Sequence, residues 1–175
     1  MKAFKNTLAV LAVASSLAAV SSAHAATATA NLTVTATVGS TCTINSGSLN
    51  FGTYDPIVVN ASTGVDLLGS GTLQVQCTLL GTADITLGQG SHPGTGSTDA
   101  APVRRMLNTS SANYLNYSLY QDATRLVVWG NTAGTGLPYV GTGLGTPVTV
   151  FGTVPKGQNV PSGTYSDTVV ATITF

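Results

Sequence analysis

The chain contains no glutamate and few charged residues of any kind, since Asp, Lys and Arg together make up 7% of its 175 residues. It has two cysteines, two histidines and a single tryptophan. So few cations offer no basic patch for phosphates, which argues against a nucleic-acid partner. The scarcity of acids, bases and thiols argues in the same way against an enzyme.

The N-terminus has the pattern of a secretory signal peptide. Met1–Lys5 carries two lysines, Leu8–Val20 is apolar, and Ala23–Ala25 (A-H-A) matches a small-x-small cleavage site. The apolar run is shorter than the roughly 20 residues of a membrane-spanning helix, so an uncleaved anchor is the weaker alternative. We therefore predict a signal peptide over residues 1–25 and an exported chain that begins at Ala26.

After cleavage the chain would keep few side chains that could act as catalytic groups or metal ligands. Loss of the signal peptide would leave four cationic side chains against six aspartates, with His92 as the only histidine. His92 lies in a Gly/Pro-rich stretch, and no serine occupies a G-x-S-x-G elbow. Arg104 and Arg105 form an isolated pair that we expect in a solvated loop. We predict no enzyme activity, no metal and no cofactor.

The two cysteines, Cys42 and Cys77, both lie in the exported part. An even cysteine count in an oxidising compartment predicts one disulfide. Two free thiols or a metal site are the alternatives, and a metal site would have only His92 as a further soft ligand. We expect the role of this disulfide to be structural.

A strict alternation follows the cleavage site, over Thr27–Val38 (T-A-T-A-N-L-T-V-T-A-T-V). Successive side chains of a β-strand point to opposite faces, so this segment has one apolar and one polar face. It contains no proline, glycine or charge, and such a strand needs an apolar groove, either its own or a neighbour's. The apolar face consists of Ala28, Ala30, Leu32, Val34, Ala36 and Val38.

The rest of the chain reads as all-β. Short alternating segments separated by Gly and Pro turns are typical of a sandwich. The Gly-rich stretches Gly88–Pro102 and Gly130–Pro147 are predicted to be surface loops. The predicted strands are Thr41–Ile44, Thr72–Thr78, Asp84–Leu87, Leu115–Tyr120, Arg125–Trp129, Pro147–Val154 and Thr168–Phe175.

The last predicted strand is the most regular. It places Val169, Ala171, Ile173 and Phe175 on one face and runs to the final residue. An unpaired sheet edge beside an apolar face is an aggregation hazard that some other strand must cover. The N-terminal segment Thr27–Val38 is a strand of the kind that would do so.

A set of motifs, in order, then resembles a known family. They are F-G-x-Y-x-P at Phe51–Pro56, L-x-Y-x-L-Y-x-D at Leu115–Asp122 with W-G at 129–130, V-F-G-x-V-P-x-G-Q at Val150–Gln158, and P-x-G-x-Y-x-D-x-V at Pro161–Val169. Their order and spacing resemble the spore coat protein U domain family over the whole exported chain. That family includes the pilin subunits of archaic (Csu-type) chaperone–usher pili.

The resemblance implies a fold and a way of assembling. The fold would be an incomplete immunoglobulin-like β-sandwich (residues 39–175) that lacks its last strand, preceded by an N-terminal donor strand (residues 26–38). Its partners would be a periplasmic chaperone, an outer-membrane usher and neighbouring copies of itself, in a head-to-tail polymer. The protein would cross the periplasm and end in a pilus at the cell surface, where it would support adhesion and biofilm formation.

Two other roles fit the same resemblance. One is a minor or tip adhesin subunit, although tip subunits carry an extra binding domain for which we expect no room here. The other is a secreted coat-type protein that folds its N-terminal strand back into its own groove. Heat-sensitive oligomer ladders would favour the shaft subunit, and a monomer at high dilution would favour the coat-type protein.

Overall fold

The computed structural model describes residues 25–175, so the predicted signal peptide lies outside the described residues apart from Ala25. The described part contains eight β-strands and no helix, which confirms the all-β prediction. In chain order, the strands are β1 (Cys42–Leu49), β2 (Leu67–Cys77), β3 (Thr82–Leu87), β4 (Arg104–Asn108), β5 (Asn113–Tyr120), β6 (Leu137–Val140), β7 (Thr146–Val154) and β8 (Ala171–Thr174).

The strands form two sheets with antiparallel ladders. One sheet has the order β1-β2-β7-β5-β4 and the other β6-β3-β8. The disulfide prediction is confirmed, because Cys42 and Cys77 are bonded and stand opposite each other in the β1–β2 ladder. The bond therefore fixes the start of β1 to the end of β2.

The core lies between the sheets and is made by the alternating residues of their inner faces. Along most of β2, β5 and β7, alternate residues are buried or half-buried, as period-2 patterning requires. Trp129 is fully buried and its indole N–H donates to the Ile85 carbonyl at 2.7 Å. The buried apolar side chains are Leu73, Val75, Cys77, Ile85, Leu87, Leu115, Tyr117, Leu119, Trp129, Val148, Val150 and Val154.

The chain divides into two units, at residues 36 and 37. The sandwich belongs to the second unit. Residues 25–41 carry no strand, and the large apolar side chains among them, Leu32, Val34 and Val38, are 82–86% exposed. Among residues 25–175, no strand pairs with this alternating segment.

Two strands lie where loops were expected. Arg104 and Arg105 begin β4, and Arg104 is fully buried, so the prediction of a solvated pair is wrong. The Gly-rich stretch 130–147 contains β6, which pairs with β3 through Leu137–Val140. Both departures arise because tertiary pairing outweighs local composition.

One predicted strand is absent. Residues 125–129 form a turn whose only strand-like contact is an isolated bridge between Tyr120 and Val128. The Asp122 carboxylate accepts hydrogen bonds from the Leu126 and Val127 backbone N–H groups, and Arg125 takes a left-handed φ of 58°. An aspartate that bonds to nearby backbone in this way favours a turn over an extended strand.

Within residues 25–175 no helix is long and apolar enough to cross a membrane. The same residues hold no group of three or more His, Cys, Asp or Glu side chains arranged to bind a metal ion.

Candidate functional site

An open groove lies between the sheets, with β1 on one side and the segment leading into β8 on the other. β1 pairs only with β2, and β8 pairs only with β3. Within the described residues no ladder joins β1 to β8. The groove has a volume of about 630 Å³. Its apolar lining comprises Ile44, Leu49, Phe51, Leu73, Leu87, Met106, Tyr117, Leu119, Val150, Tyr165, Val169 and Ala171.

The groove continues into a second hollow of about 750 Å³. Leu49, Phe51, Met106 and Tyr165 line both. The second hollow extends along the loops that follow β1 and precede β8, with apolar contributions from residues such as Val160. Together the two hollows make a trench suited to an extended chain rather than to a compact ligand.

The β1 wall is irregular. Its register against β2 shifts between Asn45 and Ser48, which marks a bulge. Gly47 sits in this bulge so close to the Thr72 carbonyl that any β-carbon would collide with backbone. A glycine is therefore required for β1 to stay on β2 while presenting this edge to the groove.

The residues predicted for the groove strand are partly brought together. Val169 and Ala171 line the groove, while Ile173 is half-buried against the core further along β8. Phe175 is 56% exposed and follows the end of β8. The six predicted donor-strand side chains, from Ala28 to Val38, are all exposed.

The wall of the groove contains a buried carboxylate, that of Asp167, which the sequence pattern did not single out as a site residue. The side chain of Asp167 is 2% exposed. Its Oδ2 accepts a hydrogen bond from the Tyr117 hydroxyl at 2.7 Å, and its Oδ1 accepts one from the Ser91 backbone N–H at 2.9 Å. His92 Nδ1 lies 3.3 Å from the same Oδ1. The available signal was the aspartate in the P-x-G-x-Y-x-D-x-V motif.

Two further polar groups surround this carboxylate. Burial, followed by the hydrogen bond to Asp167, raises the pKa of Tyr117 well above its usual value, so the phenol keeps its proton. Arg104 stands opposite Tyr117 in the β4–β5 ladder, and burial lowers the pKa of Arg104 to about 10. Arg104 therefore remains cationic at neutral pH, close to the side chain of Asp167.

The Arg104 guanidinium also joins the sheets. Its Nε donates to the Gly88 carbonyl at 2.8 Å, and its Nη2 donates to the carbonyls of Leu87 and Trp129 at 2.8 and 2.7 Å. Its Nη1 has no hydrogen-bond partner among the described residues. A charge in this position is tolerated because three carbonyl oxygens and a nearby carboxylate offset its desolvation.

Other motif residues hold the far end of the groove. The Tyr54 hydroxyl donates to the Pro155 carbonyl at 3.0 Å and accepts from the Gln158 backbone N–H at 2.9 Å. The Gln158 side chain in turn accepts from the Asn116 N–H at 2.7 Å and donates to the Asn116 carbonyl at 3.0 Å. Gln158 thus pairs with β5 as a strand backbone would, beyond the point where β7 ends.

Comparison with known proteins identifies the family. A model of the Spore Coat Protein U domain matches residues 28–172. The chain belongs to the spore coat protein U domain family. A relative from Myxococcus xanthus, described as "Protein U", is 65% identical over 179 residues, which cover all of both chains. The family match spans nearly the whole described chain and includes all of the motifs quoted from the sequence.

A solved structure confirms the fold class. The chain resembles one in the crystal structure of the CsuC–CsuE chaperone–tip adhesion subunit pre-assembly complex from archaic chaperone–usher Csu pili of Acinetobacter baumannii, with a TM-score of 0.51 at 21% identity. The match covers 79% of this spore coat protein U chain and 40% of the neighbour's length. This likeness bears out an immunoglobulin-like sandwich.

Proposed function

We propose that this spore coat protein U domain protein is a structural subunit of a surface polymer, assembled head to tail by donor-strand exchange through a chaperone and an usher. The open groove between β1 and β8 carries the proposal. Strand addition would pair the backbone N–H and C=O groups that these two edges leave without ladder partners.

The occupant we propose is Thr27–Val38 of a neighbouring copy. Its apolar face matches the apolar lining of the groove, and its large members are exposed in the single chain. Leu32, Val34 and Val38 would each contribute about 1.5–3 kcal/mol on full burial. Because the segment of one copy enters the next, the contact is heterologous and repeats into a filament.

The fold of the structural neighbour supports a chaperone as the first occupant of the groove. That neighbour comes from a complex of a chaperone with a tip adhesion subunit. In the proposed pathway a chaperone fills the groove in the periplasm, and the usher exchanges it for the next subunit's segment. The resulting fibre would support surface adhesion and biofilm formation, and no catalytic group is needed.

A second candidate is a coat-type protein that covers its own groove. The family description and the 65% identical relative, Protein U, favour it. Self-insertion would require the chain to reverse at residues 39–41, so that Thr27–Val38 runs antiparallel to its own β1. Thr78 Oγ1 lies 3.1 Å from the Thr41 N–H and 3.4 Å from the Gly39 carbonyl, and therefore restrains this link.

Deletion of Ala26–Val38 separates the two candidates. The chain would be exported together with its chaperone and usher, with and without these residues. We expect the full chain to give fibres by electron microscopy and heat-sensitive ladders in denaturing gels. The deleted chain should remain folded on the chaperone but form no fibres.

Two outcomes would contradict this expectation. Fibres from the deleted chain would show that Thr27–Val38 is not the donor strand. A deleted chain that cannot fold even with its chaperone would place the segment in its own domain, and would favour the coat-type protein.

A further inference from the structure

Asp167 connects two other parts of the molecule to the groove wall. Through Tyr117 it contacts β5, and through Ser91 and His92 it contacts the loop between β3 and β4. Gly90 lies so close to this carboxylate that a β-carbon there would collide with it. The backbone of this loop therefore packs directly against the Asp167 carboxylate.

The same loop holds the backbone that follows Asp167. The Gly88 N–H donates to the Val170 carbonyl at 2.8 Å, and the Ser91 hydroxyl donates to the Thr168 carbonyl at 3.2 Å. Residues 88–91 thus extend the β3 side of the β3–β8 pairing beyond the end of β3. Thr168 and Val169 meanwhile line the groove on the other side.

Both oxygens of the Asp167 carboxylate accept hydrogen bonds. Oδ1 accepts a hydrogen bond from the Ser91 N–H and faces His92. Oδ2 accepts a hydrogen bond from the Tyr117 hydroxyl. An asparagine that kept its oxygen on the Ser91 N–H would have to donate its NH₂ group to the Tyr117 hydroxyl, which reverses that hydrogen bond and removes the negative charge. The charged acceptor also makes each bond stronger than a neutral one would be.

We infer that Asp167 is the positioning residue of the acceptor edge: through Tyr117, Ser91 and His92 it holds residues 168–171 in the extended line on which an incoming strand pairs. This inference rests on the proposed function. An edge that is fixed in advance loses less conformational entropy when the strand docks, so it binds the strand more tightly.

The test measures groove affinity separately from folding. A full chain carrying Val34→Asp keeps its groove but has a defective donor segment, so it stays a monomer. Binding of a fluorescent peptide with the sequence of residues 26–38 to this chain is followed by anisotropy. Adding Asp167→Asn should weaken peptide binding at least about tenfold, since it disrupts charge-assisted hydrogen bonds at the edge.

The matched control is Asp99→Asn. Asp99 is exposed in the same loop and accepts a hydrogen bond from Gln89 at 2.9 Å, but it does not line the groove. Peptide affinity should not change in this control. Tyr117→Phe keeps the ring and removes only the hydroxyl, so it should weaken binding in the same direction if Asp167→Asn proves hard to fold.

A mixing experiment adds a readout that a merely structural role would not give. Asp167→Asn alone should fail to polymerise, yet its own segment should still enter the intact groove of the Val34→Asp chain. The mixture should therefore yield one-to-one dimers and nothing longer.

Unchanged peptide affinity in both Asp167→Asn and Tyr117→Phe, or normal fibres from Asp167→Asn alone, would overturn the inference and leave the proposed function standing. Absence of peptide binding to the Val34→Asp chain itself, or fibres from that chain, would instead overturn the proposed function.

Discussion

Residues 27–38 and residues 165–173 both alternate between two faces along the chain. They differ in burial, because one face is half-buried only in residues 165–173. In residues 27–38, Leu32 and Val34 are more than 80% exposed and no strand is formed. In residues 165–173 every second side chain is at least half-buried, and β8 pairs with β3. Alternation therefore defines two faces of a segment, whereas the surrounding contacts decide whether one of them is buried.

The contacts that make this difference are polar as well as apolar. The C-terminal region is held by ladder bonds to β3, by an isolated bridge between Leu107 and Ser166, and by the buried Asp167. The N-terminal region has no such polar anchor in its own sequence, which is Thr, Ala, Asn, Leu and Val only. Changes in the N-terminal region should accordingly alter assembly without altering folding, whereas changes in the domain should alter its folding or its groove.

The largest expected effect is that of Val34→Asp. A carboxylate in the proposed apolar groove would cost several kcal/mol unless it were neutralised. Fibres should be lost while chaperone-bound monomer persists with an unchanged melting temperature. Electron microscopy and calorimetry of the purified chain measure the two effects.

Thr35→Asp is the matched control, since it adds the same charge on the opposite face of the segment. It should leave fibres intact. If both substitutions abolish fibres equally, the proposal that the apolar face of this segment enters the groove is wrong.

The second effect concerns the domain rather than the segment. Replacing Cys42 and Cys77 by serine opens a loop with a sequence separation of 35 residues. On the loop-entropy model this should lower the free energy of unfolding by about 3–4 kcal/mol. Urea denaturation of the monomeric Val34→Asp chain, with and without the disulfide, measures it. Equal midpoints would mean that the β1–β2 ladder holds this end of the domain unaided.

Much of the sheet could be predicted from the sequence because one face of each strand is buried. Period-2 patterning located β2, β5 and β7, whose inner residues are apolar. It missed β4, because the two arginines that begin this strand suggest a solvent-exposed loop. It also missed β6, because the four residues of this strand lie in a Gly-rich stretch. It also predicted a strand after Asp122, where the carboxylate instead organises a turn.

The groove could be predicted only in part. Val169 and Ala171, which the alternation placed on one face, both line the groove, whereas Ile173 and Phe175 of the same face do not. The roles of Asp167, Tyr117 and Arg104 could not be predicted, because residue type does not reveal which polar side chain is buried or what it bonds to. Such groups become recognisable only when the loop before β4 is brought back against the segment before β8.

The smallest effect we predict is a loss of domain stability in acid. The Ile57 and Val58 N–H groups donate to Asp55 at 2.9 and 3.0 Å and lower its pKa below the usual 3.8. The hydroxyl of Thr124, followed by the Val127 N–H, lowers the pKa of Asp122 in the same way. A carboxyl with a depressed pKa in the folded state stabilises the fold above its unfolded pKa. That contribution is lost as the pH falls through the folded value.

The midpoint of urea unfolding should therefore be level from neutral pH down to about pH 4 and should fall below it. Because both residues are only half-buried, added salt should shrink the change. The substitutions Asp55→Asn and Asp122→Asn should each reduce the fall of the unfolding midpoint below about pH 4. Asp99→Asn serves as the comparison, because the Asp99 carboxylate accepts from the side chains of Gln89 and Asn131 and not from backbone N–H groups. Since both turns belong to the domain and neither to residues 27–38, the acid effect should be the same with or without the N-terminal segment. A midpoint that stays level in acid, or an acid limb that disappears when the segment is deleted, would contradict this assignment of stability to the domain.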